Sequence, residues 1–183
     1  VLFSGNPIMK SEDEAYPFDV NRNFYYLAGL EKETMALVVT MIDGHINEQL
    51  FILPYDELMA KWVGGRMLAS EASEVSGVAN VSDYSELEGY LANALNRQRH
   101  NGDFKVYFDL WHYDASQEET VAIKFANKLR SNHPSLIIKD IYPLLAKSRM
   151  VKDDYELTCI RQAINITNAG VKQMMTSIRP GMN

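Results

Sequence analysis

The chain of 183 residues is 46% hydrophobic and 23% charged, a composition typical of a globular domain rather than of a disordered chain. Its formal net charge of −6, without any cluster of lysine or arginine, excludes a nucleic-acid-binding surface as its main function. The longest apolar runs have only the length of strands, so we expect neither a signal peptide nor a membrane span, and therefore a cytoplasmic protein.

The first part of the chain predicts a hairpin followed by a short helix. Residues 35–42 and 46–53 are two β-rich runs, and Asp43-Gly44 between them is a strong signal for a tight turn. Apolar side chains then recur at i, i+3, i+4 and i+7, which predicts a short amphipathic helix that ends at Gly64-Gly65. The apolar side chains of this helix are Tyr55, Leu58, Met59 and Trp62.

The middle of the chain predicts another strand and helix. Residues 78–81 read as a short strand, and Ser82 is expected to cap a helix that runs to about Arg99. Residues 105–110 form the next predicted strand. The predicted inward face of the helix consists of Leu87, Leu91, Ala94 and Leu95.

The alternation of strands and helices continues towards residue 150. Ser116 with Glu119 resembles a capping box and predicts the start of a helix, with Ala122, Phe125, Ala126 and Leu129 on its inward face. Residues 135–139 then predict a strand, and residues 142–148 a helix. Strands that alternate with helices after a hairpin predict an α/β fold, with a mixed β-sheet flanked by helices.

The last helix is the longest predicted element. Asp153 and Glu156 form a second capping box, the pattern continues for more than twenty residues, and Pro180-Gly181 ends it. We expect the only cysteine, Cys159, to be a buried and inert thiol on or beside the apolar stripe. The stripe itself consists of Leu157, Ile160, Ile164, Val171, Met175 and Ile178.

The abrupt end after this helix suggests a piece of a longer protein. The best domain boundary lies within residues 147–152, because it separates the alternating pattern from the lone long helix. We therefore expect one domain over residues 1–150, and a junction with the first helix of another domain over residues 151–183.

Sequence motifs for catalysis are weak in this chain. No glycine-rich phosphate loop follows a strand, and the one pair of ligand-like residues, His112 and Asp114, is expected to lie in a solvated loop. The acidic run of residues 12–14 is expected on a solvated surface. We therefore predict no catalytic residue and no metal site within the chain itself.

The segment from Tyr16 to Gly29 has the most unusual composition. It contains five aromatic residues, two asparagines and one arginine within fourteen residues, without the period of a strand or a helix. Asparagine and arginine among aromatic residues suit a folded loop whose backbone groups are satisfied by side chains. We expect such a loop at one edge of the sheet.

The same segment resembles a known family. Its pattern Tyr-Pro-Phe-x-x-Asn-Arg-Asn-Phe-Tyr-Tyr-Leu-x-Gly is similar to the N-terminal domain of aminopeptidase P and of prolidase-like relatives, the creatinase/prolidase or pita-bread metallopeptidases. The stretch from Asp56 to Trp62-Val-Gly-Gly-Arg66 agrees, as does the junction from Arg149 to Arg179-Pro-Gly-Met182. The residues of the first motif that we single out are Tyr16, Asn21, Arg22, Asn23, Tyr26 and Gly29.

The resemblance implies a fold and a reaction. Residues 1–150 would form the creatinase/prolidase N-terminal domain, and residues 151–183 would begin the catalytic domain. In that family the catalytic domain holds two divalent metals, Mn or Zn, through two Asp, one His and two Glu, which would lie beyond Asn183. The full-length parent would be a hydrolase that releases the N-terminal residue from peptides with proline at the second position, and this fragment would be non-catalytic.

The resemblance also implies partners and two residues near the substrate. The N-terminal domains of the family contact their own catalytic domain, help to assemble a homo-oligomer (dimer or tetramer) and close the active-site entrance of a neighbouring subunit. Asp13 and Trp62 match positions that approach that site. A carboxylate there would hold the ammonium group of the peptide, and an indole would form a wall of its pocket. Trp62 equally suits an inward position on the apolar face of its helix.

Two departures from the family pattern leave the exact activity open. Tyr142 precedes Pro143 where related aminopeptidases P carry an arginine, and Met67 follows Arg66 where they carry a second arginine. The loss of a fixed charge keeps a dipeptide-specific prolidase as an alternative. A non-enzymatic, peptide- or protein-binding pita-bread relative and a creatinase-like C–N hydrolase share the fold and stay open as well.

Overall fold

The computed structural model describes residues 1–97, 104–114 and 116–182. Two compact units divide the chain, Val1–Pro143 and Leu144–Asn183. The strands are β1 (Leu2–Phe3), β2 (Ala36–Ile42), β3 (His45–Ile52), β4 (Val81–Asp83), β5 (Lys105–Phe108) and β6 (Ile137–Asp140). The helices are α1 (Arg22–Ala28), α2 (Glu57–Val63), α3 (Ala69–Ser76), α4 (Leu87–Arg97), α5 (Val121–Asn132), α6 (Tyr142–Met150) and α7 (Asp154–Ser177).

The sheet of the first unit is mixed, as the sequence predicted. β1, β2 and β3 are antiparallel neighbours, β4 lies parallel to β3, and β5 and β6 form a separate parallel pair. The β2–β3 hairpin has the predicted turn, because Asp43 and Gly44 both have positive φ angles, of 51° and 77°. Two positive φ angles at the centre of a two-residue loop match the right-handed twist of the strands. The α/β fold class is confirmed.

The core lies where the sheet residues meet α4 and α5. The rings of Phe3 and Phe108 stack at 6.4 Å between centroids, which joins β1 to β5, and Phe51 is buried in the same cluster. Each large side chain buried in this way contributes about 1.5–3 kcal/mol to folding. The predicted inward faces of the two helices are largely confirmed: Leu87, Leu91, Leu95, Ala122, Ala126 and Leu129 are buried, and Ala94 and Phe125 are half-buried.

Two predicted boundaries were wrong around β4. The strand begins at Val81 rather than ending there, so that Ser82 lies within it and accepts a hydrogen bond from Gln49 at 3.0 Å. Asp83 is the cap instead, because its Oδ1 accepts the backbone N–H of Ser85 at 2.8 Å and starts a 3₁₀ turn before α4. The predicted helix end near Arg99 lies outside the described residues. The sequence also missed α3, since it buries only Ala72 and has no apolar stripe.

The start of α5 is a further correction. Thr120 is its N-cap and accepts the backbone N–H of Ile123 at 3.3 Å. Ser116 lies in a turn before the helix, where its backbone N–H donates to Asp114 Oδ1 at 2.8 Å. The capping-box pattern of Ser116 and Glu119 was therefore misleading, because a nearer carboxylate competes for Ser116.

The second unit contains the long final helix. Asp153 accepts the N–H of Glu156 at 2.8 Å and Glu156 accepts the N–H of Asp153 at 2.9 Å, so the predicted capping box is confirmed. None of the residues of α7 is buried. Cys159 is exposed, contrary to the prediction, because its position beside an apolar stripe implied a covered face that this helix does not have. No helix among the described residues is long and apolar enough to cross a bilayer.

Candidate functional site

The second half of the segment from Tyr16 to Gly29 folds into a helix, Arg22–Ala28, rather than the predicted loop, whereas residues 16–21 have no regular secondary structure. Asn21 is the N-cap of α1, and its Oδ1 accepts the backbone N–H groups of Asn23 at 2.9 Å and Phe24 at 3.0 Å. Gly29 ends the helix in the left-handed conformation with φ of 67°, which glycine adopts without the cost of a Cβ. The helix was not predicted from the sequence because α1 is only seven residues long and exposes most of its aromatic side chains, so it has no periodic apolar face.

The two asparagines also hold a buried carboxylate. Asn21 Nδ2 and Asn23 Nδ2 donate to the same oxygen, Oδ2 of Asp109, at 3.2 Å and 2.9 Å. Asp109 follows β5 and is only 7% exposed, so these bonds connect α1 to the end of that strand inside the protein. Its other oxygen, Oδ1, is buried without a hydrogen-bond partner among the described residues. Asp109 was not predicted from the sequence, although a lone acid directly after an apolar strand was a usable signal.

The remaining residues of the motif lie towards solvent. Arg22 forms an ion pair with Asp19 at 2.9 Å, and both side chains are exposed. Such a surface pair contributes at most about 1 kcal/mol. Tyr16 and Tyr26 also expose much of their rings, and the backbone N–H of Tyr16 donates to Ile8 at 2.9 Å. The motif thus divides into asparagines and a glycine that shape α1, and exposed side chains that do not.

Asp13 lies in a short exposed turn. The turn is closed by a bridge between Met9 and Ala15, and Ser11 donates a hydrogen bond to Asp13 Oδ1 at 3.0 Å. The carboxylate is therefore tethered only to its own turn and faces solvent. A carboxylate in this setting is available to pair with a cation from another molecule.

Trp62 lies on α2, and its ring is 80% exposed. Asp56 is the N-cap of this helix, with its Oδ1 accepting the N–H groups of Leu58 at 2.8 Å and Met59 at 3.1 Å. Leu58 and Met59 are exposed as well, so the predicted apolar face exists but does not pack into the core. An exposed group of large apolar side chains marks an interaction surface.

A shallow cleft follows α2 along the chain. Its volume is about 570 Å³, and Tyr55, Gly65 and Arg66 line one part of it. Arg66 donates to the carbonyl of Pro54 at 3.2 Å, which ties the loop after α2 back to the segment before it. Lys32 and Glu71 bring one further cation and one carboxylate to the wall of the cleft.

Three aromatic side chains form what we call the aromatic cluster: Trp111, Tyr113 and Tyr142. The rings of Trp111 and Tyr142 stack with centroids 5.7 Å apart and 26° between planes, and Tyr113 meets Trp111 edge-on at 6.5 Å. Trp111 is 47% exposed and Tyr113 is 78% exposed. In the sequence, Tyr142 was notable only as a departure from the family pattern, and its two aromatic neighbours were not predicted.

His112 and Asp114, in the loop after β5, take part in local hydrogen bonds. His112 Nε2 lies 2.9 Å from the carbonyl oxygen of Gln117, and Asp114 accepts hydrogen bonds from Ser116. The bond from the Ser116 hydroxyl, reinforced by its backbone N–H, lowers the pKa of Asp114. Within residues 1–97, 104–114 and 116–182, no group of three or more His, Cys, Asp or Glu side chains is placed to hold a metal ion.

Comparisons with known proteins agree on one family. The family model of the aminopeptidase P N-terminal domain matches residues 1–102. The Xaa-Pro aminopeptidase of Escherichia coli K12 is 27% identical over 189 residues, which cover 100% of this chain and 41% of that enzyme.

Two solved structures extend the agreement to the fold. A candidate aminopeptidase P from Bacillus anthracis has a TM-score of 0.86 and 30% identity, covering 93% of this chain and 40% of that one. The structure of Zn-substituted Escherichia coli aminopeptidase P in complex with product has a TM-score of 0.75 and 24% identity, covering 98% and 41%. The chain therefore spans less than half the length of these relatives. Since the family model covers more than half of the chain, the chain belongs to the family of aminopeptidase P N-terminal domains.

Proposed function

We propose that this chain is the N-terminal part of a metal-dependent Xaa-Pro aminopeptidase, a hydrolase that releases the N-terminal residue from peptides with proline at the second position. The observation that carries the proposal is that nearly the whole chain matches Xaa-Pro aminopeptidases. Residues 1–102 of it match the N-terminal domain of aminopeptidase P. The activity belongs to the full-length protein, and the proposed role of this chain is specificity and assembly.

The two divalent metals of the proposed enzyme, Mn or Zn, would be bound outside the described residues. The described part of the chain offers no group of three potential ligands, so its residues do not fit such a centre. A Zn-substituted structure exists for the aminopeptidase P of Escherichia coli, which supports metal dependence of the family. We assign no catalytic step to this chain.

The proposed contribution of this chain is to complete a substrate site in a neighbouring subunit of a dimer or tetramer. The exposed indole of Trp62 would form a wall of the peptide pocket, since a large ring held away from the core by α2 gains most from burial against a partner. The solvated carboxylate of Asp13 would pair with the ammonium group of the peptide. Both side chains are placed on the surface by well-formed local structure, a capped helix and a bridged turn.

The proposed domain boundary lies after residue 150, with residues 151–183 starting the catalytic domain. The capping box at Asp153 supports this division, because it starts a new helix with its own N-terminal signal rather than continuing α6. A cytoplasmic location is part of the same proposal. A single unpaired cysteine is typical of a reducing compartment, and Cys159 is exposed.

Hydrolysis by the full-length protein tests the proposed function. With Mn²⁺ added, it should release the N-terminal residue from a tripeptide with proline in second place, and not from the matched peptide with alanine there. The 183-residue chain alone should give no release under the same conditions. Equal turnover of both peptides by the full-length protein would contradict the proposed function. Turnover by the 183-residue chain alone would contradict the proposal that the catalytic residues lie outside this chain.

A dipeptidase of the prolidase type is the second candidate. Tyr142 in place of the arginine that related aminopeptidases P carry favours it, because the chain lacks a fixed charge at that position. The ratio of kcat/KM for an Xaa-Pro dipeptide to that for an Xaa-Pro tripeptide separates the two. A ratio well above one would favour the dipeptidase.

A further inference from the structure

The aromatic cluster of Trp111, Tyr113 and Tyr142 has no role in the core. None of the three side chains belongs to the buried cluster around Phe108, although the chain passes from Phe108 to Trp111 within three residues. The rings of Trp111 and Tyr142 lie nearly face to face, and Tyr113 meets Trp111 edge-on, so Trp111 connects the three rings into one cluster. Trp111 and Tyr113 are exposed and Tyr142 is half-buried, and aromatic side chains grouped in this way at the surface are typical of recognition surfaces.

The backbone under the cluster is fixed in place. Asp140 Oδ1 accepts the N–H of Leu110 at 3.0 Å and the N–H of Tyr142 at 2.9 Å, so one carboxylate joins the ends of β5 and β6. The N–H of Ile141 also donates to the carbonyl of Phe108 at 2.9 Å. The stacked rings of Trp111 and Tyr142 are therefore pre-organised, which lowers the entropy lost when a ligand binds.

The charges near the aromatic cluster restrict the kind of ligand that it can bind. Residues 109–119 contain four carboxylates and no lysine or arginine. Asp109 is buried and Glu118 pairs with Lys124, whereas Asp114 and Glu119 are exposed negative charges in this loop, which disfavours phosphate groups and other anions. In the part of the chain that the structure describes, the Trp111 indole N–H and the Tyr113 hydroxyl have no hydrogen-bond partner of their own, so both can donate to a ligand. Aromatic rings with such donors bind extended proline-rich peptides, whose pyrrolidine rings pack on the aromatic faces and whose carbonyls accept the hydrogen bonds.

We propose that the aromatic cluster binds an extended, proline-containing stretch of the peptide substrate. A pyrrolidine ring would pack on the exposed part of the Trp111 ring, which Tyr142 supports by stacking against it. Peptide carbonyls would accept hydrogen bonds from the Trp111 indole and the Tyr113 hydroxyl. The inference rests on the proposed function for the source of such peptides. If the cluster binds such peptides, the protein should prefer peptides with prolines beyond the second position to Xaa-Pro dipeptides.

Direct binding to the 183-residue chain tests the proposal without any need for activity. The probe is the peptide Ala-Pro-Pro-Pro, titrated while the indole N–H signals are followed by NMR, with Ala-Ala-Ala-Ala as the reference. The Trp111 signal, identified with the Trp111→Phe variant, should shift saturably with the proline peptide only. Tyr142→Ala should weaken binding about fivefold, the loss expected for one aromatic contact, whereas Tyr142→Phe should restore it and Tyr25→Leu, on α1, should have no effect.

The result that overturns the proposal is an absent shift of the Trp111 signal, or the same shift with the alanine peptide. A Tyr142→Ala variant that fails to fold leaves this comparison intact, because it uses the unaltered chain. The full-length protein separates the proposal from the proposed function. Hydrolysis of Xaa-Pro peptides without peptide binding at Trp111 would overturn the aromatic site alone, and binding at Trp111 without hydrolysis would support the site and overturn the enzyme assignment.

Discussion

The side-chain amide of Asn23 donates a hydrogen bond to Oδ2 of Asp109 at 2.9 Å, and thereby joins α1 to the end of β5 across 86 residues of chain. The same oxygen accepts the amide of Asn21 at 3.2 Å. Since Asn21 also caps α1, one buried carboxylate fixes both the start of the helix and its attachment to the strand. The arrangement explains why two asparagines flank an arginine in this motif.

Removal of the carboxylate should destabilise the first unit. Asp109→Ala removes the acceptor that the exposed Asn21 and the buried Asn23 share, and we expect the free energy of unfolding to fall by about 2–3 kcal/mol. Urea denaturation followed by circular dichroism measures it. The control Asp13→Ala removes an exposed carboxylate and should change stability by less than about 0.5 kcal/mol. Equal effects of the two variants would contradict the role of Asp109.

Two glycine-to-alanine substitutions should act in opposite directions. Gly29 ends α1 with φ of 67°, so Gly29→Ala forces a Cβ into the left-handed region and should cost about 1 kcal/mol. Gly89 lies inside α4 with open space around it, so Gly89→Ala should stabilise the protein by about 0.5–1 kcal/mol. Thermal unfolding of both variants provides the comparison. Stabilisation by Gly29→Ala would show that α1 does not end as described.

The cap at Asp83 should contribute to stability in a pH-dependent way. The hydrogen bond from the backbone of Ser85, with a second from its hydroxyl, lowers the pKa of Asp83 in the folded protein. Because the pKa of Asp83 is lower in the folded than in the unfolded state, its cap stabilises the folded protein at pH values above the unfolded pKa. This stabilisation is lost as the pH falls through the folded pKa. An NMR titration of the Asp83 carboxyl should show the lowered pKa, and Ser85→Ala should raise it part of the way back. A titration at the ordinary aspartate pKa of about 3.9 would contradict the cap.

The sequence predicted elements well where the signal was local. Asp43-Gly44 specified the hairpin because the turn conformation depends on those two residues alone, and Asp153 with Glu156 marked the start of α7 for the same reason. α1 was missed because a short helix capped by Asn21, with only Asn23, Phe24 and Ala28 buried, has no periodic apolar face.

Contacts between distant parts of the chain could not be predicted from the sequence. Periodicity located α2 but could not tell that the side of Trp62 faces solvent, since an apolar stripe looks the same whether it meets a core or a partner. Asp109 could not be paired with Asn23, nor Trp111 with Tyr142, because only the fold brings these residues together. The prediction that Cys159 is buried was wrong because an apolar stripe does not show whether anything covers it.

The effect of Trp62→Ala on the full-length protein tests most directly whether this domain shapes the substrate site. If the exposed indole forms a wall of a neighbouring substrate pocket, kcat/KM for an Xaa-Pro tripeptide should fall about tenfold, as for a central interface contact. Metal content should stay unchanged, and Tyr25→Leu should leave kcat/KM as it is. An unchanged kcat/KM in the Trp62→Ala variant would contradict the proposal that this domain shapes the substrate site.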